Sequence, residues 1–375
     1  MDRPIAILFV ITRLAVGGAP QSVLTAIREL KTRGYRIVLA TGYPGIEEGS
    51  MIEEARKLGV DIRFVPTLQR ALHPIRDWRA FWVLWQMIRA EKFDIVHTHL
   101  SKAGILGRLA AWLARVPVIM HTYHGDVLEG YFPPLKSRLF LEVERLMGRV
   151  THRFVCVSKA LKDRFLLYQM GSPDDFSVIA NGIVMADFEP GSQSSQNVLR
   201  VGTLAMFYPI KRLDLFVEMA QRLKQRLPDT ECVIAGGGHE ESRLYKLSHM
   251  RGNPVQFLGI LQDRAAFLTG LDVFVLCSDY EGAGMSLMEA MICGVPVVAT
   301  KVGGVPEIVR HGDTGVLVLP GNVDALTEAV YELLQDHTRR QEMGHQARVY
   351  ALSHFSHLRM ADELDALYHT LVFGS

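Results

Sequence analysis

Residues 277–300 read CSDYEGAGMSLMEAMICGVPVVAT, and this stretch decides the fold of the second half of the chain. An apolar run ends at Cys277, a loop with two glycines follows, and a helical segment then leads through a glycine turn into a second apolar run that ends at Thr300. Short apolar runs joined by a helix are typical of parallel strands whose faces are covered by helices. The stretch therefore predicts one βαβ unit of a doubly wound sheet.

Two glutamates of this unit, Glu281 and Glu289, are eight residues apart, the first in the loop and the second one turn into the helix. Gly282 and Gly284 leave backbone N–H groups free beside the helix start, where the helix dipole favours an anion. A carboxylate within an apolar helix is costly unless it has a partner. This arrangement suits a nucleotide sugar, with its phosphate at the helix start and its hydroxyl groups at the two carboxylates.

The same alternation of apolar runs and amphipathic stretches extends along the whole chain and predicts two parallel sheets. The predicted strands are residues 5–11, 36–41, 61–65, 94–98, 116–121 and 154–157, and then 199–202, 231–235, 255–259, 273–276, 295–299 and 314–319. The predicted helices are residues 21–33, 78–90, 102–114 and 135–148, and then 213–226, 285–293, 323–335 and 357–370.

A polar segment with the sequence EPGSQSSQN, residues 189–197, is predicted to be a linker between the two halves. We therefore expect an α/β protein of two Rossmann-like, doubly wound domains, residues 1–185 and 186–375, that face each other across a cleft. The last helix, about residues 355–375, is expected to pack back on the first domain.

The composition excludes several classes of protein. The chain has 375 residues, 49% of them apolar, with 41 Lys and Arg against 40 Asp and Glu. High apolar content and a net charge of +1 exclude a disordered chain and argue against nucleic acid as a partner. The charge is divided unevenly, because residues 1–180 carry +8 and residues 181–375 carry −7. This asymmetry indicates that the first half meets something anionic.

The apolar runs and the cysteines both indicate a cytoplasmic protein. The longest apolar runs, residues 4–12 and 80–88, have about nine residues, fewer than the roughly 20 that a membrane-spanning helix needs. The first is expected to be a buried strand rather than a signal peptide. The four cysteines lie in apolar runs without a Cys-x-x-Cys pair, so we expect buried reduced thiols rather than disulfides or zinc ligands.

Two short segments lie at predicted helix starts, where ligands bind in sheets of this kind. Gly17 and Gly18 follow the first strand and either approach an anionic or sugar group closely or form only a tight turn. Lys211 and Arg212 begin a helix of the second half and form either an anion site or a solvated surface.

Histidines stand at the ends of two predicted strands, His97 and His99 on one and His121 and His124 on the next. A metal site there would lack a carboxylate or cysteine partner at suitable spacing. His124 follows an apolar strand, and there it can donate to a sugar hydroxyl or to a developing charge, or lie simply in solvent.

Taken together, these motifs resemble those of glycosyltransferase family 4, the retaining enzymes of GT-B fold with a Glu-x7-Glu motif. Glu281 and Glu289 match that motif, and the family-like segments GVPVVAT at residues 294–300 and GGVPE at residues 303–307 come directly after it. Further matching segments are Gly17-Gly18, His124-Gly125 and residues 157–160, 181–183 and 312–315. The similarity covers essentially the whole chain.

The resemblance implies a donor-binding role for residues of the second half. Lys211, with Arg212, is expected to bind the donor diphosphate, and Glu289 the ribose hydroxyls. Glu281 is expected to hold the transferred sugar together with the backbone of three nearby residues, Ala283, Gly284 and Met285.

In the first half, the resemblance places His124 near the reacting carbon of the sugar, and Gly17 and Gly18 at the donor phosphate or the acceptor. The implied catalytic residues are therefore His124, Lys211 and Glu281. Such enzymes usually need no cofactor and no metal, so we expect neither. Transfer keeps the anomeric configuration, with the leaving phosphate helping to deprotonate the acceptor.

This chain departs from the family pattern at two positions. Thr203 stands where the family commonly has an arginine after the glycine of the second domain's first strand, so Arg212 or another cation would have to replace it. Ala283 replaces the bulky aromatic residue of the usual Glu-Gly-Phe-Gly.

The function implied is transfer of a hexose or N-acetylhexosamine from a nucleotide-diphosphate sugar, UDP favoured over GDP, to a glycan or lipid-linked glycan. Three alternatives remain at this point. One is a UDP-sugar epimerase of the same fold, and another is a non-catalytic partner of an active transferase, suggested by Thr203 and Ala283. A nicotinamide oxidoreductase is the third, although neither glycine loop has dinucleotide-binding spacing.

Residues 97–108, 121–125 and 130–132 resemble a bacterial branch that acts in capsule, exopolysaccharide or lipopolysaccharide assembly, often on lipid-linked acceptors. This implies peripheral association of the basic first half with an anionic membrane, at the cytoplasmic face of the inner membrane. The aromatic cluster around Trp78, Trp82 and Trp85 either lies at that interface or packs a helix onto the sheet, and the second interpretation is favoured.

Overall fold

The computed structural model describes residues 3–45, 48–126, 134–188 and 198–374. The chain divides into two compact units, of which the first comprises residues 1–182 and 357–375 and the second residues 183–356. The last helix thus belongs to the first unit. The predicted linker, residues 189–197, and the family-like segment at residues 130–132 lie outside the described residues.

The first unit contains a seven-stranded parallel sheet of order β3-β2-β1-β4-β5-β6-β7. Its strands are β1 (Ala6–Arg13), β2 (Arg36–Gly42), β3 (Asp61–Phe64), β4 (Ile95–His99), β5 (Val118–Tyr123), β6 (Arg153–Cys156) and β7 (Phe176–Val178). Its helices, numbered in chain order, are α1 (Gly18–Thr32), α2 (Ile52–Lys57), α3 (Pro74–Glu91), α4 (Ser101–Leu113), α5 (Pro134–Gly148), α6 (Lys159–Leu167) and α14 (His357–Phe373).

Alternate residues of β1 point to the two faces of this sheet and select different helices. Ile7, Phe9 and Ile11 pack with apolar residues of α1 and α14. Leu8 and Val10, which point the other way, pack with α3 and α4. The near-continuous apolar sequence of β1 follows from this arrangement, because both of its faces are buried.

The second unit contains a six-stranded parallel sheet of order β10-β9-β8-β11-β12-β13. Its strands are β8 (Arg200–Leu204), β9 (Glu231–Ala235), β10 (Gln256–Gly259), β11 (Val273–Leu276), β12 (Val297–Thr300) and β13 (Gly315–Val318). Its helices are α7 (Leu213–Arg226), α8 (Glu241–Met250), α9 (Arg264–Thr269), α10 (Met285–Ile292), α11 (Val305–Ile308), α12 (Val323–Gln335) and α13 (His337–His354).

The predicted fold class is confirmed, since both sheets are parallel and doubly wound. Every predicted strand and helix is present, with ends shifted by at most four residues. The strand β7 and the helices α2, α6, α8, α9, α11 and α13 were not predicted from the sequence. Most of these are short, and the long α13 buries mainly small residues, which give little apolar periodicity.

Two further sequence features can be compared with the structure. The four cysteines are free and buried, as predicted, and burial raises the pKa of each thiol to about 12. Within the described ranges, no helix is both long enough and apolar enough to cross a membrane.

Candidate active site

The loops that follow β8 and β11 carry the candidate donor-binding residues Lys211 and Glu281 of the second unit. These strands are neighbours at the point where the strand order reverses, which is where ligands bind in open parallel sheets. The two loops are joined directly, because the Asp279 N–H donates to the Ile210 carbonyl at 2.8 Å. The Cys277 thiol also lies 3.1 Å from the Arg212 carbonyl. The structure therefore brings Lys211 and Glu281 together.

Glu281 is held in one orientation by two donors. The Lys211 ammonium and the Ser278 hydroxyl both donate to its Oε1, each at 2.7 Å. The carboxylate is buried, whereas about a quarter of the Lys211 side chain is exposed. The Gly304 N–H binds the Glu281 carbonyl at 3.0 Å, and a Cβ at Gly303 would come within 2.0 Å of that same oxygen. Glycine at position 303 is therefore needed to support Glu281.

The helix start beside Glu281 is built on a glycine. Gly284 precedes α10 with a φ of +57°, a left-handed conformation that favours glycine. Gly284 has no side chain with which to cap the helix, and the Leu287 N–H donates to the Gly284 carbonyl at 3.1 Å, so the N–H groups of Met285 and Ser286 are the ones that a ligand could bind. Ala283 is buried just before it. Met285 is the first residue of the helix, so residues 283–285 lie where the sequence predicted.

Glu289 lies further along α10 and is completely buried. Its Oε1 is 2.9 Å from Nη1 of Arg264, the first residue of α9. The expectation that a carboxylate inside this apolar helix needs a partner is confirmed, but no sequence pattern indicated Arg264 as that partner. The role of Glu289 at ribose hydroxyls stays a prediction.

Arg212 is held by carboxylates rather than turned toward Glu281. Its guanidinium is 3.1 Å from Asp214 and 3.1 Å from Asp279. The hydrogen bond to Asp214, followed by the interactions with Asp279, raises the pKa of Arg212 despite partial burial. Thr203, which stands where an arginine is common, is buried within β8. Lys211 is therefore the cation of this loop that contacts Glu281.

In the first unit, hydrogen bonds to Glu48 hold the residues just before Gly17 and Gly18 in place. The Val16 N–H binds the Glu48 carbonyl at 3.2 Å, and the Glu48 carboxylate accepts two bonds from Arg13 at 2.6 and 2.7 Å. A Cβ at Gly17 would meet no atom within 4 Å, so the missing side chain leaves the backbone accessible. Gly18 is the first residue of α1. The geometry is compatible with the close approach of a ligand.

The histidines separate into two groups, because they point to opposite faces of the sheet. His97 and His99 share the face of Phe9 and Ile11, with which they are in register. His99 Nδ1 lies 3.0 Å from His124 Nε2, at hydrogen-bond distance. His121 belongs to the other face and contacts Thr98 instead. The structure thus joins His124 to His99 and separates it from His121.

His97 anchors this group to the last helix. Its Nδ1 is 2.7 Å from the Tyr368 hydroxyl of α14, and its Nε2 is 2.7 Å from the Thr122 hydroxyl. Burial lowers the pKa of His97 to about 3 and that of His124 to about 4. His124 is therefore neutral at pH 7 and can give or accept one hydrogen bond, but it supplies no positive charge.

A small cavity of about 20 Å³ adjoins His97, His99 and His124, with Ser22 and Asn181 on its other side. A cavity of this size holds about one water molecule. Across the part of the chain that the structure describes, no three His, Cys, Asp or Glu side chains converge in a way that could hold a metal ion.

Two family models together match most of the chain. "Glycosyltransferase Family 4" matches residues 16–186, and "Glycosyl transferases group 1" matches residues 188–350. The chain belongs to glycosyltransferase family 4. The resemblance found in the sequence is thereby confirmed, and the protein is a glycosyltransferase of GT-B type.

Curated relatives agree with this assignment, and a solved structure has the same fold. The chain is 28% identical over 324 residues, 82% of its length and 84% of the relative's, to an Escherichia coli UDP-Gal:alpha-D-GlcNAc-diphosphoundecaprenol alpha-1,3-galactosyltransferase. It is 27% identical to the N-acetyl-alpha-D-glucosaminyl L-malate synthase of Bacillus anthracis, over 76% of this chain and 77% of the relative. The crystal structure of Anabaena HepE with UDP and glucose has a TM-score of 0.84 at 20% identity, covering 98% of this chain and all of the other.

The sequence did not single out two residues at the candidate site of the second unit, Ser278, which orients Glu281, and Arg264, which pairs with Glu289. In the first unit it singled out His99 but not the contact that His99 makes with His124. The serine and the arginine have no motif of their own. His99 did carry a signal, because it ends the strand next to the one that leads to His124.

Proposed function

We propose that this glycosyltransferase moves a hexose or N-acetylhexosamine from a UDP-sugar to a glycan or lipid-linked glycan, with retention of anomeric configuration, in cell-surface polysaccharide synthesis. The observation that carries the proposal is the cluster of Lys211, Glu281 and Ser278 beside the N-terminus of α10. It combines a cation and the positive end of a helix dipole for a diphosphate with a fixed carboxylate for sugar hydroxyls.

In this mechanism negative charge develops on the departing diphosphate as the bond to the sugar breaks. Lys211 and the first N–H groups of α10 stabilise that charge, and because they are already in place no reorganisation is needed in the transition state. Glu281 binds hydroxyls of the sugar through the carboxylate oxygen that does not face Lys211. Glu289, paired with Arg264, binds the ribose.

The acceptor attacks from the face that the diphosphate leaves, so the configuration is kept, and a diphosphate oxygen takes the acceptor proton. Neutral His124 donates a hydrogen bond to a sugar hydroxyl near the reacting carbon. Gly17 and Gly18 offer backbone to the donor phosphate or the acceptor. No residue of this scheme needs a metal or another cofactor.

The names of the relatives support the donor and the acceptor to different degrees. The E. coli relative is named for a UDP-sugar donor and a diphosphoundecaprenol-linked acceptor, whereas the B. anthracis relative is named for L-malate. We propose the lipid-linked class for this chain, because its first 180 residues carry +8 and suit an anionic membrane surface. The enzyme would then work at the cytoplasmic face of the inner membrane.

Thermal unfolding with a panel of UDP-, GDP- and ADP-sugars tests the donor. A ligand at 100 times its Kd stabilises the folded state by about 2.7 kcal/mol, so a UDP-sugar is expected to raise the melting temperature by several degrees. A shift with GDP-sugars alone would overturn the choice of base. Absence of any shift would favour a non-catalytic partner subunit, and turnover of a UDP-sugar without acceptor would favour an epimerase.

A further inference from the structure

Helix α3 exposes an aromatic face that nothing in the described chain covers. Trp78 is 59% exposed, Trp82 is 39% exposed and Ile75 is 62% exposed. Their spacing of three and four residues puts them on one side of the helix. The two tryptophan rings meet edge to face, with centroids 5.6 Å apart. The interpretation favoured by the sequence, that the aromatic residues pack the helix onto the sheet, is confirmed for Phe81 and Trp85 but is wrong for these two.

The charges on this side of α3 have one sign. Arg76, Arg79 and Arg89 are exposed. The helix has two carboxylates, Asp77 and Glu91, and both are engaged elsewhere. Asp77 binds Lys102 of α4 at 2.7 Å, and Glu91 lies 3.2 Å from Arg36 at the other end of the helix. An exposed helix surface that contains tryptophan and arginine but no unpaired carboxylate is typical of a helix that lies in a membrane interface.

Helix α5 repeats this composition on the same side of the sheet. The connections from β3 to β4, from β4 to β5 and from β5 to β6 pass through α3, α4 and α5, and all three run toward the β7 edge of the sheet. Because such connections between parallel strands are right-handed, the three helices lie on one face of the sheet. Leu135 is 81% exposed and Leu139 is 68% exposed, and they are one helical turn apart. Lys136 and Arg138 are exposed beside them.

The first turns of α3 and α4 lie at the same edge of the sheet as the candidate site of this unit. Lys102, which binds Asp77 in the first turn of α3, lies in the first turn of α4, three residues after His99. The first turns of α3 and α4 therefore lie at the carboxyl edge of the sheet, as His99 and His124 do. His99 itself faces α1 and α14, on the other side of the sheet from α3, so this surface and the histidines share an edge of the sheet and not a face.

We propose that the exposed side of α3, with the first two turns of α5, docks on the surface of an anionic lipid bilayer. The tryptophans and leucines enter the boundary between headgroups and acyl chains, and the arginines and Lys136 bind anionic headgroups. The exposed residues of α3 and α5 are the evidence for this surface, and its purpose rests on the proposed lipid-linked acceptor.

Co-sedimentation of the full chain with phosphatidylcholine vesicles, with and without phosphatidylglycerol, tests the proposal. The wild-type protein should bind the anionic vesicles at low salt and lose most of this binding at high salt, because headgroup charges are screened. Trp78→Gln with Trp82→Gln should weaken binding about tenfold, as should Arg76→Gln with Arg79→Gln. Failure of the wild type to bind either vesicle would overturn the proposal.

A matched control is Trp112→Gln, because Trp112 is 52% exposed at the far end of α4. This variant should bind vesicles like the wild type, and an equal loss would contradict the assignment to α3. If the wild type self-associates and the paired tryptophan substitutions abolish this self-association, the surface binds a second copy of the chain and the proposal is wrong. The donor-induced thermal shift, measured on every variant, reports folding independently. Vesicle binding without any donor shift would leave this inference intact and remove the proposed function.

Discussion

Lys211 and Arg212 are neighbours in sequence, yet their side chains meet different partners. Lys211 reaches Glu281, whereas Arg212 is held by Asp214 and Asp279. The sequence predicted a cationic helix start but did not indicate which of the two cations contacts Glu281. Arg212 also has a left-handed backbone, with a φ of +49°, a conformation that is uncommon for residues other than glycine and that the local sequence does not predict.

Replacing Lys211 by methionine is expected to lower kcat/KM by a factor of about 100–1,000, the usual cost of losing one fixed charge-stabilising group. Arg212→Gln is the matched control and should cost less than about tenfold, since this charge is already balanced by two carboxylates. Steady-state kinetics with the donor identified by thermal unfolding measures both. An equal loss in the two variants would contradict the role given to Lys211.

The buried histidines predict how stability depends on pH. The folded-state pKa is about 3 for His97 and about 4 for His124, both below the value of 6.5 that is ordinary for histidine. The unfolded chain therefore binds more protons than the folded chain below about pH 6.5, and the free energy of unfolding should fall as the pH drops toward 4.

Urea unfolding between pH 8 and pH 4 measures this dependence. His97→Gln should reduce the acid slope by up to one proton. The same substitution at His337, an exposed residue, controls for the exchange of a histidine for a glutamine itself. A slope that is identical in the wild type and the His97 variant would show that burial of His97 does not control its protonation.

At the scale of elements, α4 and α5 are joined by a buried polar group rather than by apolar packing alone. Arg108 of α4 has no exposed surface and donates to Glu144 of α5 at 2.6 Å. The Tyr123 hydroxyl donates to the same carboxylate at 2.8 Å. Arg108 stood in a family-like segment of the sequence, but its partner is 36 residues away and no local pattern reveals it.

Arg108→Met is expected to destabilise the protein by about 3–5 kcal/mol, because it leaves the Glu144 carboxylate buried without its cation. Adding Glu144→Leu should recover much of that loss, since it removes the uncompensated charge. Urea denaturation of the two variants and the wild type measures the difference. A double variant no more stable than Arg108→Met would mean that packing, and not charge, explains the cost.

Elements with strong periodicity were predictable, and those with weak periodicity were not. The strands β1 and β11 contain runs of consecutive apolar residues, residues 6–11 and 273–276, so their sequences identified them. Helix α13 was missed because it packs through small residues. A Cβ at Gly344 would lie 2.2 Å from the Gly294 carbonyl, a contact between segments 50 residues apart. Tertiary contacts of this kind leave no local signature.

At the scale of the whole molecule, the chain makes two parallel sheets and then returns its last helix to the first. Tyr368 of α14 is completely buried and binds His97, whose ring contacts that of His99 beside His124. The end of the chain is thereby connected to the candidate site of the first unit. A net charge of +1 conceals the division into a basic first half and an acidic second half.

The anomeric configuration of the product is the most direct measurement of what this glycosyltransferase does. The protein, a UDP-sugar that stabilises it and a lipid-diphosphate-linked sugar acceptor are incubated together, and the product is analysed by proton NMR. We predict stoichiometric release of UDP and an alpha linkage, the configuration of the alpha-linked donor. A beta linkage, or turnover of the UDP-sugar that does not depend on the acceptor, would contradict retaining transfer.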